Sequence, residues 1–443
     1  IRFFLNSCHQ FSPLVGFHFA RVNLHEYSLQ PIKAPISHKE LAMTKPLDGV
    51  KILDLSNIIA GPLCTYQLAL MGADVIKIER PGTGDLARKM GMDPERGHKQ
   101  MGVSFLAMNA GKKSLTLNLQ QGRGREIFKK LASDADVVFE NFRPGVMARL
   151  ELDYDTLKAF NPSLIYCAVS GFGQDGPLSK RPAYDQIIQG YSGLMSLTGP
   201  EDGDPYRAGY TACDSMGAMT AAFAVTAALL RKNQTNEGAF IDVSMLDATM
   251  TTMASWVISN HLNTGNEPQR LGNESHSAAP SGSFPTKDGQ INIVNNEQKQ
   301  FETLCDAIDR PDLKNHPLFA DRNERLKRKD ALRAELVPVL AKKTSAEWEE
   351  VLSAAGIPAA QIYTVPEILR HAHTSARNIL ETFEDVPGTN QGATVATRGY
   401  QFIGETVDKN TPPPELGQDT DTVLQSLGLN EEDIRSLREN GTV

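Results

Sequence analysis

Two aspartates, Asp185 and Asp214, flank a Gly-rich, mildly apolar turn in the stretch from Arg181 to Met219. The second stands at the mouth of a long apolar helix, DSMGAMTAAFAVTAALL. An aspartate there has two readings. As an N-cap, its carboxylate accepts hydrogen bonds from the first free N–H groups of the helix. As a covalent nucleophile it needs no activating base, and the helix N-terminus would keep it ionised while offering N–H groups to developing oxyanions. The two roles are compatible. Cys213 beside it is a weaker candidate, because no histidine lies near it in sequence and small buried cysteines are common.

The elements that must position these groups alternate. Val50–Leu55 (VKILDL), Asp74–Glu79 (DVIKIE), Lys112–Leu119 (KKSLTLNL), Ala135–Asn141 (ADVVFEN), Leu164–Gly171 (LIYCAVSG) and Gly238–Met245 (GAFIDVSM) read as buried strands. Helical patterns lie between them, among them AGPLCTYQLALMG, with Pro62 in its first turn and Gly72 beyond its end. Such alternation implies a doubly wound α/β domain with a parallel sheet. Ligands of such sheets sit at the carboxyl ends of the strands, here the loops SNIIAGP, ERPGTGD, ENFRPG and SGFGQDGP. Arg80 and Arg143 in those loops suit phosphate, although a single loop arginine is more often a solvated charge. Gly82 to Ala87 matches the dinucleotide pattern G-x-G-x-x-A, but it follows the second strand and has no convincing acid at the ribose distance. No Walker A, HExxH or GxSxG pattern occurs.

The polar run from Asn263 to Ser283 marks a boundary. Beyond it a hairpin turning at Lys287-Asp288-Gly289 and helices at Glu297–Ile308, Arg322–Leu340 and Ser345–Ala355 predict a smaller α+β unit. Short strands around Thr394–Phe402 and a last helix, Glu431–Asn440, follow. The expected division is residues 1–42 as an extension, 43–262 as a large domain, 263–376 as linker and small domain, and 377–443 returning to the large one. The first 42 residues carry only two acids, Glu26 and Glu40, and read as an organelle presequence or as sequence outside the fold. The expected location is the cytoplasm, or the mitochondrial matrix if that segment is a presequence.

In 443 residues, a hydrophobic fraction of 40% and a charged fraction of 22% are those of an ordinary globular core. A net charge of −8 argues against general nucleic-acid or anionic-membrane binding. The apolar run Ala218–Leu230 is too short to span a bilayer. Five scattered cysteines form no CxxC pair, which suits free thiols and gives no metal-ligand spacing.

The ordered motifs KPLDGVKILDLS…AGP, GADVIKIERPGTGD, ENFRPGVMARL, SGFGQDGP, YDQ…SGLMSLTG and PPPELGQDT resemble the class III CoA-transferases, the formyl-CoA transferase and carnitine CoA-transferase family. The resemblance runs from Met43 to Val443, and SGLMSLTGPEDGDPYR and FPTKDG narrow it toward enzymes that move CoA from succinyl-CoA to a dicarboxylate such as glutarate or hydroxymethylglutarate. It implies that Asp214 forms an aspartyl-acyl anhydride and then an aspartyl-CoA thioester, with Asp185 and Tyr184 positioning the acyl group or the carboxylate. Asn57, Arg80, Asn141 and Arg149 are the implied CoA-binding residues. Acyl-CoA and a small carboxylic acid are the implied substrates, with no tightly bound cofactor and no metal, and the implied assembly is an interlocked homodimer.

The chain departs from the formyl-CoA enzymes at Ile59, where they have Gln, and in Ser275–Gly282, where they have a run of glycines. Both departures speak against formate and oxalate. Gln120 stands where the family has a lysine, which puts one CoA contact in doubt. Racemases of 2-methylacyl-CoA share the fold but need a His where this chain has Tyr184, and a tyrosine of ordinary pKa, about 10, is a poor proton carrier at neutral pH. A non-catalytic CoA-binding protein is the remaining alternative. Arg207 and His276 are candidates for gripping a second carboxylate.

Overall fold

Six short strands rich in Val, Ile and Leu form one parallel sheet: β1 (Lys51–Asp54), β2 (Asp74–Glu79), β3 (Lys113–Thr116), β4 (Val137–Glu140), β5 (Ile165–Ser170) and β6 (Ala239–Ser244). The computed structural model describes residues 45–403 and 410–443, so the expected extension over residues 1–42 lies outside the described residues. The sheet order is β3-β2-β1-β4-β5-β6, with every pairing parallel. Chain direction across the sheet therefore reverses between β1 and β4, and a crevice opens there at the carboxyl ends. The expected strands of this sheet all form; Asp74–Glu79 matches to the residue and the other five are trimmed at their ends where the loops peel away.

Helices cover both faces, as buried parallel strands require. On one face α1 (Ala60–Leu70) and the long α4 (Ala212–Thr235) pack over Ile52, Phe139, Cys167 and Val169. On the other, α2 (Gly122–Ala132) lies with the C-terminal helices Thr420–Ser426 and Glu431–Glu439 over Leu53, Val138 and Tyr166. The C-terminal segment is tied to β3 by main-chain and side-chain bonds, with Ser114 N–H donating to Asp419 Oδ2 at 2.8 Å and Asp419 N–H to Ser114 O at 2.9 Å. Two more helices matter below: α3 (Asp185–Tyr191) and α5 (Met245–Thr252).

Residues 279–361 hold a core of their own around Phe284, Ile291, Phe301, Leu336 and Trp348. It contains the antiparallel sheet of β7 (Ser281–Pro285), β8 (Gln290–Val294) and β9 (Ala359–Gln361). The expected single helix over Arg322–Leu340 breaks at Arg328 into Arg322–Lys327 and Lys329–Leu340. The hairpin β10 (Leu380–Val386) and β11 (Gln391–Ala396) packs Phe383 and Val395 against Tyr66 and Leu70 of α1. This hairpin starts earlier than the expected strand at Thr394 and ends sooner.

The apolar run that the sequence bounds at Ala218–Leu230 belongs to a longer helix. With 24 residues and a stretch of mean hydropathy 1.4, α4 is long and apolar enough to cross a membrane by those two measures. One side of it is core: Ala218, Ala221, Val225 and Leu229 are buried against the sheet and α1. The other side leaves Met219, Phe223 and Leu230 exposed.

Candidate active site

A cleft of about 390 Å³, within the usual range for a ligand pocket of ~300–1,000 Å³, lies across the carboxyl ends of β3, β2, β1 and β4. Asn57, Arg80, Gln120, Phe142 and Arg149 line it, so three of the four expected CoA-binding residues meet in one place. Arg80 and Arg149 are exposed at its rim. Gln120, at the position of the doubtful contact, is in the wall. Asn141 stands behind: its Oδ1 accepts from Asn57 N–H at 2.8 Å and its Nδ2 donates to Asn57 O at 2.8 Å. Its amide is a brace for Asn57.

Glu79 in the cleft wall belongs to a set of buried ionic groups in and around the sheet, which the strand pattern did not predict. The strands bury Asp54, Lys77, Glu79, Ser114 and Glu140. Lys112 Nζ lies 3.1 Å from Asp54 Oδ2, Lys77 Nζ 3.0 Å from Asp85 Oδ2, and Arg88 grips both oxygens of Glu79 at 2.7 Å. The signal was present in sequence: a lysine in the middle of DVIKIE, in a strand covered on both faces, must find a buried partner. Burial pushes Glu140 up to about 8, against the hydrogen bonds it accepts from the Phe142 N–H and the Tyr166 hydroxyl.

Asp185 and Asp214 come together on the other side of β1. Asp214 is the third residue of α4, not its cap, since the helix begins at Ala212 after Thr211. The capping is done from outside. Asp185, buried at the start of α3, accepts from Cys213 N–H at 2.8 Å and Asp214 N–H at 3.1 Å through one oxygen. Its other oxygen accepts from Gln189 Nε2 at 2.5 Å, and Gln189, also buried, reaches on to Tyr210 O and Ala208 N–H. Ala212 N–H is taken by Tyr210 O. The N–H groups of Ala212, Cys213 and Asp214 are thus occupied within the protein.

Two expectations for Asp214 are corrected here. Burial, helped by the charge of Asp185, raises its pKa to about 7, so the helix N-terminus does not keep it fully ionised. The helix dipole is worth only ~0.3–1 kcal/mol, and desolvation beside a second carboxylate outweighs it. A half-buried carboxylate with this pKa is a better nucleophile than a solvated one, because basicity and nucleophilicity rise together. Tyr184, which precedes α3, is 68% exposed and does not share this buried arrangement. Cys213 is buried and its thiol is pushed up by burial, the opposite of an activated sulfur.

The profile of CoA-transferase family III matches residues 47–420. The chain belongs to that family. An acetyl-CoA:oxalate CoA-transferase of Acetobacter aceti is 40% identical over 336 residues, covering 76% of this chain and 85% of that protein. A succinyl-CoA:glutarate CoA-transferase of Mus musculus is 34% identical over 384 residues, covering 86% of each. A crystal structure of a CAIB/BAIF family protein from Brucella suis superposes with a TM-score of 0.77 at 32% identity, over 87% of this chain and 100% of that one. As a family III CoA-transferase the protein is an enzyme that uses acyl-CoA and carboxylic acid substrates.

Of the remaining candidates in this CoA-transferase, His276 packs edge-on to Trp256, with ring centroids 5.0 Å apart, in a separate cavity of about 570 Å³. Arg207 is exposed and donates to Ala208 O at 3.3 Å. No cluster of three or more His, Cys, Asp or Glu side chains placed to hold a metal occurs among the described residues. The Gly82–Ala87 segment forms a loop over the buried ions, with Gly84 at φ +61° closing back on Arg80 O.

Proposed function

We propose that the enzyme moves CoA from an acyl-CoA donor, succinyl-CoA first among them, to a carboxylic and most naturally dicarboxylic acid, through covalent intermediates on Asp214. The observation that carries the reading is the pairing of Asp214, raised to about 7, with the charged and buried Asp185 that fixes its main chain. An Asp214 carboxylate oxygen attacks the thioester carbonyl and CoA thiolate leaves, giving a mixed anhydride. The thiolate attacks the aspartyl carbonyl and releases the donor acid, leaving an aspartyl-CoA thioester. The acceptor carboxylate displaces CoA thiolate from that thioester, and the thiolate then attacks the acceptor acyl carbon and frees Asp214. Each step trades one acyl bond for another, so no further reagent is needed.

The cleft supports CoA as the carried group: Arg80 and Arg149 at the rim suit its phosphates, and Asn57 its pantetheine arm. The glutarate relative supports a dicarboxylate acceptor. Ile59 and Ser275–Gly282 speak against oxalate, yet the name of the Acetobacter relative keeps oxalate among the acids to be tried. Exposed Met219, Phe223 and Leu230 on α4 favour a second copy of the chain against that face, in keeping with an interlocked dimer. The test is succinyl-CoA with glutarate, oxalate, malate and carnitine in turn, read by mass spectrometry for a new acyl-CoA. Hydroxylamine trapping is expected to mark the Asp214 peptide. Asp214→Asn is expected to lose transfer and keep CoA binding; full transfer by that variant would overturn the nucleophile.

A further inference from the structure

The turn after β1 is gripped at four points, and each grip falls on one of two adjacent peptide groups. The first peptide group joins Ser56 to Asn57: its carbonyl accepts from Lys77 Nζ at 2.7 Å and its N–H donates to Asn141 Oδ1 at 2.8 Å. The second joins Asn57 to Ile58: its carbonyl accepts from Asn141 Nδ2 at 2.8 Å and its N–H donates to Asp85 Oδ1 at 3.0 Å. Lys77 and Asp85 are themselves paired at 3.0 Å, with both side chains fully buried. Two peptide planes held at both ends leave the backbone of Asn57 no freedom.

The turn needs such a grip. Ile58 sits at φ +69°, in the left-handed region that a β-branched residue rarely enters. Released, it would relax toward negative φ, rotating the Asn57–Ile58 peptide and swinging Asn57 within the cleft wall it lines. Stability alone does not account for the pair, because a buried ion pair replaced by apolar groups is often no loss. Its product is geometry. Lys77 comes from β2 and Asp85 from the loop beyond it, so the handles on β1's turn are fixed by the neighbouring strand.

We infer that the buried Lys77–Asp85 pair is a positioning device that sets the Ser56–Ile58 turn, and through it Asn57, for binding of the CoA moiety. This rests on the cleft being the CoA site. Neither residue touches the ligand; they act through the main chain they hold.

The experiment measures CoA binding by calorimetry and steady-state transfer for the full chain, Asp85→Asn, Asp85→Ala, Ile58→Gly and Ile58→Gly/Asp85→Ala. Loss of the Ile58 acceptor in Asp85→Ala is expected to raise the Kd for CoA and the KM for acyl-CoA about tenfold, with kcat changed less than about twofold. Asp85→Asn keeps an oxygen for Ile58 N–H and should lose less. Glycine adopts positive φ without strain, so Ile58→Gly should restore most of what Asp85→Ala loses. A merely structural pair would lower the melting temperature in both backgrounds and leave Kd and KM alone. If Asp85→Ala does not fold, Lys77→Met/Asp85→Ala, which removes both buried charges together, takes its place with the same expectations. CoA binding unchanged by Asp85→Ala, or a loss that Ile58→Gly does not relieve, overturns the inference while the function stands. An unaltered chain that fails to bind CoA overturns the function and this inference with it.

Discussion

Asp185 holds Asp214 by its main-chain N–H at 3.1 Å and sets a second negative charge beside its carboxylate. The first contact orders the start of α4; the second, with burial, makes the Asp214 carboxylate basic. In the proposed mechanism only the ionised form attacks, so a pKa raised to about 7 places the activity change within the neutral range. kcat/KM for acyl-CoA is expected to climb as pH rises from 6 to 8 with a midpoint near 7. An ordinary solvated aspartate, at about 3.9, would give a flat profile there. A flat profile from pH 5 to 8 would contradict the raised carboxyl.

Asp185 separates into its two effects by substitution. Asp185→Asn keeps an oxygen for Cys213 and Asp214 N–H but removes the charge, so the pH midpoint of kcat/KM should move down and the fold should survive. Asp185→Ala strips the acceptor from two N–H groups at the head of α4, an expected cost of about 1–3 kcal/mol in urea unfolding, together with loss of transfer. An unmoved midpoint in Asp185→Asn would leave burial as the sole cause of the shift.

The sheet was legible because buried parallel strands write themselves as apolar runs, and DVIKIE at Asp74–Glu79 matched to the residue. The Arg322–Leu340 segment was not: its helical periodicity continues through Arg328, and only the backbone there, at φ −117° and ψ 31°, divides it. At the site, Asp214 and Asp185 were legible as carboxylates near a helix start, but which of them caps was not. A cap supplied from another helix has no local spacing to announce it. The buried ions were missed for a related reason. Asp54 lies far from Lys112 in sequence, and the pairing exists only once β1 has been laid beside its neighbours.

Arg80 and Arg149 should act as rim charges. Replacing either by alanine is expected to raise the KM for acyl-CoA about tenfold, the equivalent of ~1.4 kcal/mol, with kcat held. The deficit should shrink as salt is raised, since the unaltered enzyme loses the same attraction by screening. Steady-state kinetics at low and high ionic strength read both effects. A fall in kcat at unchanged KM would move the arginine from binding to chemistry.

Acid should unfold the protein through the buried ionic groups of the sheet. Burial alone would push Asp54 up, but the charges of Lys112 and Lys77 and hydrogen bonds from the Ser56 and Thr65 hydroxyls outweigh it and hold the carboxyl well below the usual range. Glu79 is likewise lowered, burial being outweighed by the hydrogen bonds and charge of Arg88 and by Lys77. A carboxyl whose pKa is lower folded than unfolded contributes stability that is complete above its unfolded value, about 4, and drains away as pH falls through the folded one. Urea midpoints should therefore change little between pH 7 and 5 on account of these groups and drop steeply below about pH 4. Asp54→Asn leaves Lys112 buried without its counter-charge, at an expected cost of about 3–5 kcal/mol at pH 7. That variant should also lose part of the acid dependence, because one of the two carboxyls that produce it is gone. An acid limb as steep in Asp54→Asn as in the unaltered chain would assign the acid sensitivity to other carboxylates.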